Sequence, residues 1–162
     1  MEEFEFVPAD TSRVEAQMTR LAAARSGWIN LLPGVDADDP DAGDEPARPS
    51  PVSALFGPAQ SPVTMVTWIP PSNGRRGGDV VKVGIMHPRG RHVVSQLENL
   101  GITVPGDWQV RQDHARRGLI VEAPASDPPA TVLAWALRVG EVLSAAPLTG
   151  SWQARVYQPS RR

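Results

Sequence analysis

The chain of 162 residues contains no cysteine. That excludes disulfides, thiol nucleophiles and cysteine-ligated metals, and it fits a reducing compartment. Lysine is almost absent: Lys82 stands against fifteen arginines. Arginine is a good phosphate ligand, but the same bias, beside abundant Ala, Gly and Pro, is what GC-rich codons yield. With a net charge of −2 and no basic run longer than two residues, a nucleic-acid ligand is not expected. No apolar run approaches the ~20 residues of a membrane span. Met1–Phe6 is acidic and lacks the positive region of a signal peptide. The expectation is therefore a protein of the cytoplasm with no membrane partner. Recognisable catalytic signatures are missing too: there is no nucleophile elbow and no phosphate-binding loop, since Gly74–Gly78 lacks the Lys and Ser/Thr of one.

What is present is a composition that can fold. Apolar residues make up 41% and charged residues 21%, enough for a core. The charge is uneven. Residues 1–50 carry 11 acids and 4 bases, and residues 51–162 carry 7 acids and 12 bases, so −7 in front and +5 behind. Residues 34–62 combine Asp36, Asp38, Asp39, Asp41, Asp44 and Glu45 with six prolines and read as an acidic linker. The spacing of these acids is not that of a calcium loop. The linker separates an N-terminal appendage, 1–33, from a domain at 63–162.

In the appendage, Glu3–Val7 alternates like a short strand. Ser12-Arg13-Val14-Glu15 fits a capping box for a helix over 12–26, with Val14, Met18 and Leu21 on one stripe and Gly27 as terminator. Trp28–Leu32 is too apolar to be left in water; it docks on its own domain or anchors a partner. In the domain, the periodicity predicts strands at 63–69 and 80–86, a helix over 91–100, and strands at 108–114 and 119–123 joined by Ala115–Gly118. A helix from Asp127 to about Ala145 and a strand at 152–157 follow. Asp127 is placed to cap that helix, with Pro128 and Pro129 in its first turn. Strand, helix, strand, strand, helix, strand is the order of a ferredoxin-like βαββαβ sandwich, here α+β with an extra N-terminal strand, 63–69, and a preceding helix. In that topology strands 80–86 and 108–114 are parallel, so the loops 87–92 and 114–118 share one end of the sheet, joined there by 146–151.

That shared end is the candidate site. It gathers His87, Arg89, Gly90, Arg91 and His92 from one loop and His114, Arg116 and Arg117 from the other. A helix N-terminus and arginine forks both favour anions. The expected ligand is an acidic protein segment, and the alternative is a small anionic metabolite. No cofactor and no metal are expected: His87 and His92 are five apart, off the spacing that puts two ligands on one helix face. Asp113-His114 permits a weaker hydrolase reading, with the acid orienting the imidazole, although strand neighbours point to opposite faces. An RNA-recognition module has the same strand order, but it stacks bases on aromatic residues of the central strands, and 80–86 and 119–123 contain none.

Val83-Gly84-Ile85-Met86-His87-Pro88-Arg89-Gly90, then Leu97 and Leu100-Gly101-Ile102, resembles the ACT family of small-molecule regulatory domains over about twenty-five residues. The resemblance implies a ferredoxin-like fold and an anionic metabolite at the Pro-Gly loop, where Arg89 splits Pro88 from Gly90 and His87 stands near the usual acid. The complete chain is also similar to a family of high-GC actinobacteria, at Gly27–Pro33 and Pro147–Gly150; this implies a source rather than an activity.

Overall fold

The computed structural model describes residues 1–36, 61–73 and 78–158. Most of the acidic linker lies outside them. Ten elements follow in order: β1 (Glu2–Phe6), α1 (Ser12–Ala24), β2 (Trp28–Val35), β3 (Met65–Ile69), β4 (Val80–Met86), α2 (Val93–Asn99), β5 (Gln109–His114), β6 (Gly118–Pro124), α3 (Pro129–Leu143) and β7 (Leu148–Tyr157). The strands form one seven-stranded sheet in the order β1-β7-β2-β3-β4-β6-β5, and each neighbouring pair is antiparallel.

This overturns the ferredoxin-like sandwich. In that fold β7 would lie beside β4. Here β4 lies between β3 and β6, and β7 is inserted between β1 and β2. The reason is competition for the free edge of β4. β3 is the nearer strand in sequence and takes that edge by antiparallel pairing, Met65 with Met86 through Ile69 with Lys82. β2 then takes the far edge of β3, and the crossover through α3 must pass three strands before β7 finds a partner. The β4-β6-β5 half does follow the expected order, with β4 and β5 both antiparallel to β6 and so parallel to each other. Residues 1–33, expected as an appendage, supply β1, α1 and most of β2 to this sheet. Trp28–Leu32 belongs to an interior strand, with Ile29 and Leu31 buried.

Burial alternates along the strands and falls on one face. Val66, Trp68, Val83, Ile85, Leu119, Val121, Ala154 and Val156 point into a single core with Val14, Met18 and Leu21 of α1, Val93 and Leu97 of α2, and Val132, Leu133, Ala136 and Leu137 of α3. The three helices therefore cover one side of the sheet. α1 begins at Ser12, but the capping box is not made: Ser12 Oγ donates to Asp10 Oδ1 at 2.7 Å, and Glu15 Oε1 accepts from Thr11 Oγ1 at 2.5 Å. Asp127 does not cap α3 either. Its carboxylate accepts from Trp108 Nε1 at 2.7 Å, tying α3 to the segment before β5, where Trp108 also packs edge-on against Trp135.

The seat of α3 is tight. A Cβ on Gly140 would lie 2.8 Å from Trp152 Cη2 and 3.0 Å from Val66 Cγ2. Beside it, Thr64 Oγ1 and Ser144 Oγ both donate to the Gly140 carbonyl, at 2.7 and 2.9 Å. Gly140→Ala is a better helix former by about 1 kcal/mol, yet overpacking costs about 1–3 kcal/mol. The variant is expected to be the less stable, with a lower urea midpoint; an unchanged or raised midpoint would show that the seat relaxes freely.

Candidate functional site

The two loops expected to share an end do so. Arg91 and His92 from the loop leading into α2, and Asp113, His114, Ala115 and Arg116 from the end of β5 and its hairpin, line one cleft of about 450 Å³. The split crossover from β4 to β5 around β6 brings them together. The segment 146–151 lies at the same end of the sheet but does not join the two loops: Leu148 begins β7, three strands from β4, and pairs with Val35 of β2.

The eight residues read as one edge separate into distinct roles. Arg89 turns inward: its Nε donates to the Leu143 carbonyl at 3.1 Å and its Nη2 to the Ser144 carbonyl at 2.8 Å. It thus covers the C-terminal carbonyls of α3, where a cation is favoured. Gly90 follows with φ 76°. Gln96 Nε2 donates to the carbonyls of Arg89 and Arg91, both at 3.0 Å, and holds the turn. His92 carries φ 57° at the start of α2. That left-handed conformation is uncommon for a side-chain-bearing residue, and its strain is held by the surrounding bonds. Arg117 lies on the hairpin, exposed, outside the cleft lining. The side chains of Arg91 and Arg116 are exposed and form no ion pair among the described residues.

Asp113 has a role the sequence did not reveal. Its two carboxylate oxygens accept from the Val93 and Val94 backbone N–H groups, each at 3.1 Å. A strand residue thus caps α2 from outside the helix, and the helix N-terminus is not available to an incoming anion. His114 points the other way. Its Nδ1 accepts from the Arg116 and Arg117 N–H groups at 3.1 and 3.2 Å, closing the hairpin. Asp113 and His114 share no hydrogen bond among the described residues; each is engaged with separate backbone donors. The only sequence signal for this cap was the position of Asp113, twenty residues beyond Val93, and such a distance carries no periodicity.

His87 is buried, with Nδ1 accepting from the Arg89 N–H at 3.3 Å and Nε2 without a hydrogen-bond partner among the described residues. Burial holds its pKa below the ordinary histidine value, opposed in part by the charge of Asp113. Among the described residues no group of three or more His, Asp or Glu stands together to hold a metal ion, and no helix is long and apolar enough to cross a membrane. Compared with family models, curated proteins and solved structures, the chain matches none of them.

Two outcomes follow from this geometry. Asp113→Ala is expected to lower stability by about 1–2 kcal/mol, the usual worth of an N-cap, and Asp113→Asn by less, read by urea unfolding. For His87, the folded state binds its proton less readily than the unfolded state. Its contribution to stability is therefore full above about pH 6.5 and is lost as pH falls toward the lowered folded value. Urea midpoints should fall below that pH in the parent protein, and less steeply in His87→Asn; equal slopes would exclude His87 as the group responsible.

Proposed function

We propose that the protein is a non-enzymatic binding module that takes an acidic protein segment at the cleft between the loop leading into α2 and the β5–β6 hairpin. The observation that carries this reading is the presence of Arg91 and Arg116 on one cleft with no ion pair among the described residues, while Arg89 and Asp113 are committed to capping helices. Two guanidinium forks across a cleft suit carboxylates. The shape supports a peptide over an enclosed metabolite, because the cleft is about half open to solvent, whereas small-molecule sites bury most of their ligand. The volume keeps the alternative: about 450 Å³ lies within the ~300–1,000 Å³ of small-ligand pockets, so a small anionic metabolite is the second reading.

Calorimetric titration of a glutamate-rich peptide and of a dicarboxylate into the full chain, at two salt concentrations, tests both. The peptide is expected to bind and to weaken with salt, since exposed charges are screened over about 10 Å at 0.1 M. Arg91→Ala with Arg116→Ala should reduce affinity at least about tenfold, roughly 1.4 kcal/mol, while each alters folding stability by no more than ~0.5 kcal/mol. Binding of the dicarboxylate alone would replace the peptide reading with the metabolite one. Binding of neither, or binding indifferent to both substitutions, would remove the cleft as an anion site.

A further inference from the structure

With three helices on one face of the sheet, the alternate residues of each strand form a second face on which no described helix lies. It is a mixed face, with large apolar residues set beside Asn30, Thr67 and charged side chains. Trp28 is 42%, Ile69 40% and Met86 41% exposed, and Trp28 stacks on Tyr157 at 4.8 Å between ring centroids. Large apolar residues left this exposed on the middle strands of a sheet are what an interface would cover. We infer that this face docks a second copy of the same chain, across a two-fold axis running along β3. The inference is independent of the cleft, which lies at one end of the sheet.

Charge selects the occupant. Among the described residues of this face the β1–β7 side carries Glu3, Glu5 and Arg155, two acids against one base. The β4–β6–β5 side carries Lys82, Arg111 and Glu122, two bases against one acid. On each side the minority charge is held by its opposite: Arg155 Nε lies 3.1 Å from Glu3, and Glu122 lies 2.6 Å from Arg111 Nε and 3.7 Å from Lys82 Nζ. One half is left with a net negative charge and the other with an equal positive charge, and β3 lies between them as the middle strand of the seven. A two-fold axis along β3 lays β2 over the partner's β4, β7 over its β6 and β1 over its β5, so each negative half meets a positive one. An isologous contact requires this self-complementarity.

The relief agrees with the charge. One cross-strand row reads Glu3, Arg155, Asn30, Thr67, Gly84, Ile120, Gln112. The axis passes at Thr67 and sets Asn30 above the partner's Gly84. A Cβ there would have only the Thr67 carbonyl, at 4.0 Å, within reach, so Gly84 leaves a dip. Thr67 Oγ1 donates to Asn30 Oδ1 at 2.9 Å, which pairs the two side chains within one copy before the faces meet. Sheets pack about 10 Å apart with strands within about 30°. Seven strands about 4.8 Å apart span roughly 30 Å, and a face roughly 20 Å tall then projects about 600 Å², near the ~800 Å² per partner of a standard interface.

Sedimentation of the full chain across a concentration series is the first test. The expected result is self-association to twice the 17.4 kDa of one chain. Thr67→Arg places like charges on the axis and should weaken association by at least about a hundredfold, with an unchanged circular dichroism spectrum. The absence of native cysteine permits a second test. Thr67→Cys should be joined to its partner by a short bis-maleimide, whereas Ala134→Cys, exposed on α3 on the helical side, should not. A monomer at every concentration, or cross-linking no faster at Thr67→Cys than at Ala134→Cys, overturns the inference.

Discussion

Gly140 is the point at which α3 meets the sheet. Without a side chain there, the helix comes down against Trp152 of β7 and Val66 of β3, and its carbonyl receives hydroxyls from Thr64 and Ser144. The Pro62 carbonyl, just before, accepts from the Ala145 N–H at 2.7 Å. These contacts hold the long crossover at both its sheet partner and its exit. They carry the chain past β4, β3 and β2 to the slot between β1 and β2, where β7 makes the two pairings that bind the N-terminal elements into the sheet. With the β2–β3 pairing, this crossover turns an expected five-stranded domain and its appendage into one seven-stranded sheet.

The candidate cleft depends on the same arrangement. Arg89 reaches the end of α3 at Leu143 and Ser144, so the loop leading into α2 is positioned by the seated helix. Asp113 then fastens the start of α2 to β5. Arg89 and Asp113 are spent on helix ends, and Arg91 and Arg116 are left to line the cleft. The proposed anion site therefore consists of the charges the fold does not consume.

Burying one face of a wide sheet leaves the other in solvent. Antiparallel sheets tolerate this when the second face is polar. Here β2, β3 and β4 carry Trp28, Ile69 and Met86, each about 40% exposed, beside Asn30, Thr67 and Lys82. Those exposed apolar residues join the fold to the proposed association of two copies, and they lie apart from the cleft, where arginine and histidine predominate.

Local structure was legible in the sequence because it is set by neighbours. Alternation marked β1, a β-branched run between prolines marked β3, an apolar run marked β4, the stripe of Val14, Met18 and Leu21 marked α1, and the prolines at 128 and 129 marked the start of α3. The β4–α2–β5–β6 unit and the meeting of its two loops could be read as well, since a split right-handed crossover has few alternatives. Where competition or long-range pairing decided, the sequence was silent. The strand nature of Trp28–Val35, with Pro33 and Gly34 inside it, was hidden until β3 and β7 flanked it. The place of β7 depended on which strand took the edge of β4. The fates of Asp113, Asp127 and Arg89 were decided by partners twenty, nineteen and fifty-four residues away. Propensity and periodicity report on a chain's immediate neighbours; strand order and the consumption of charge by distant backbone groups are settled only when the tertiary structure forms, because each edge and each carbonyl can be satisfied once.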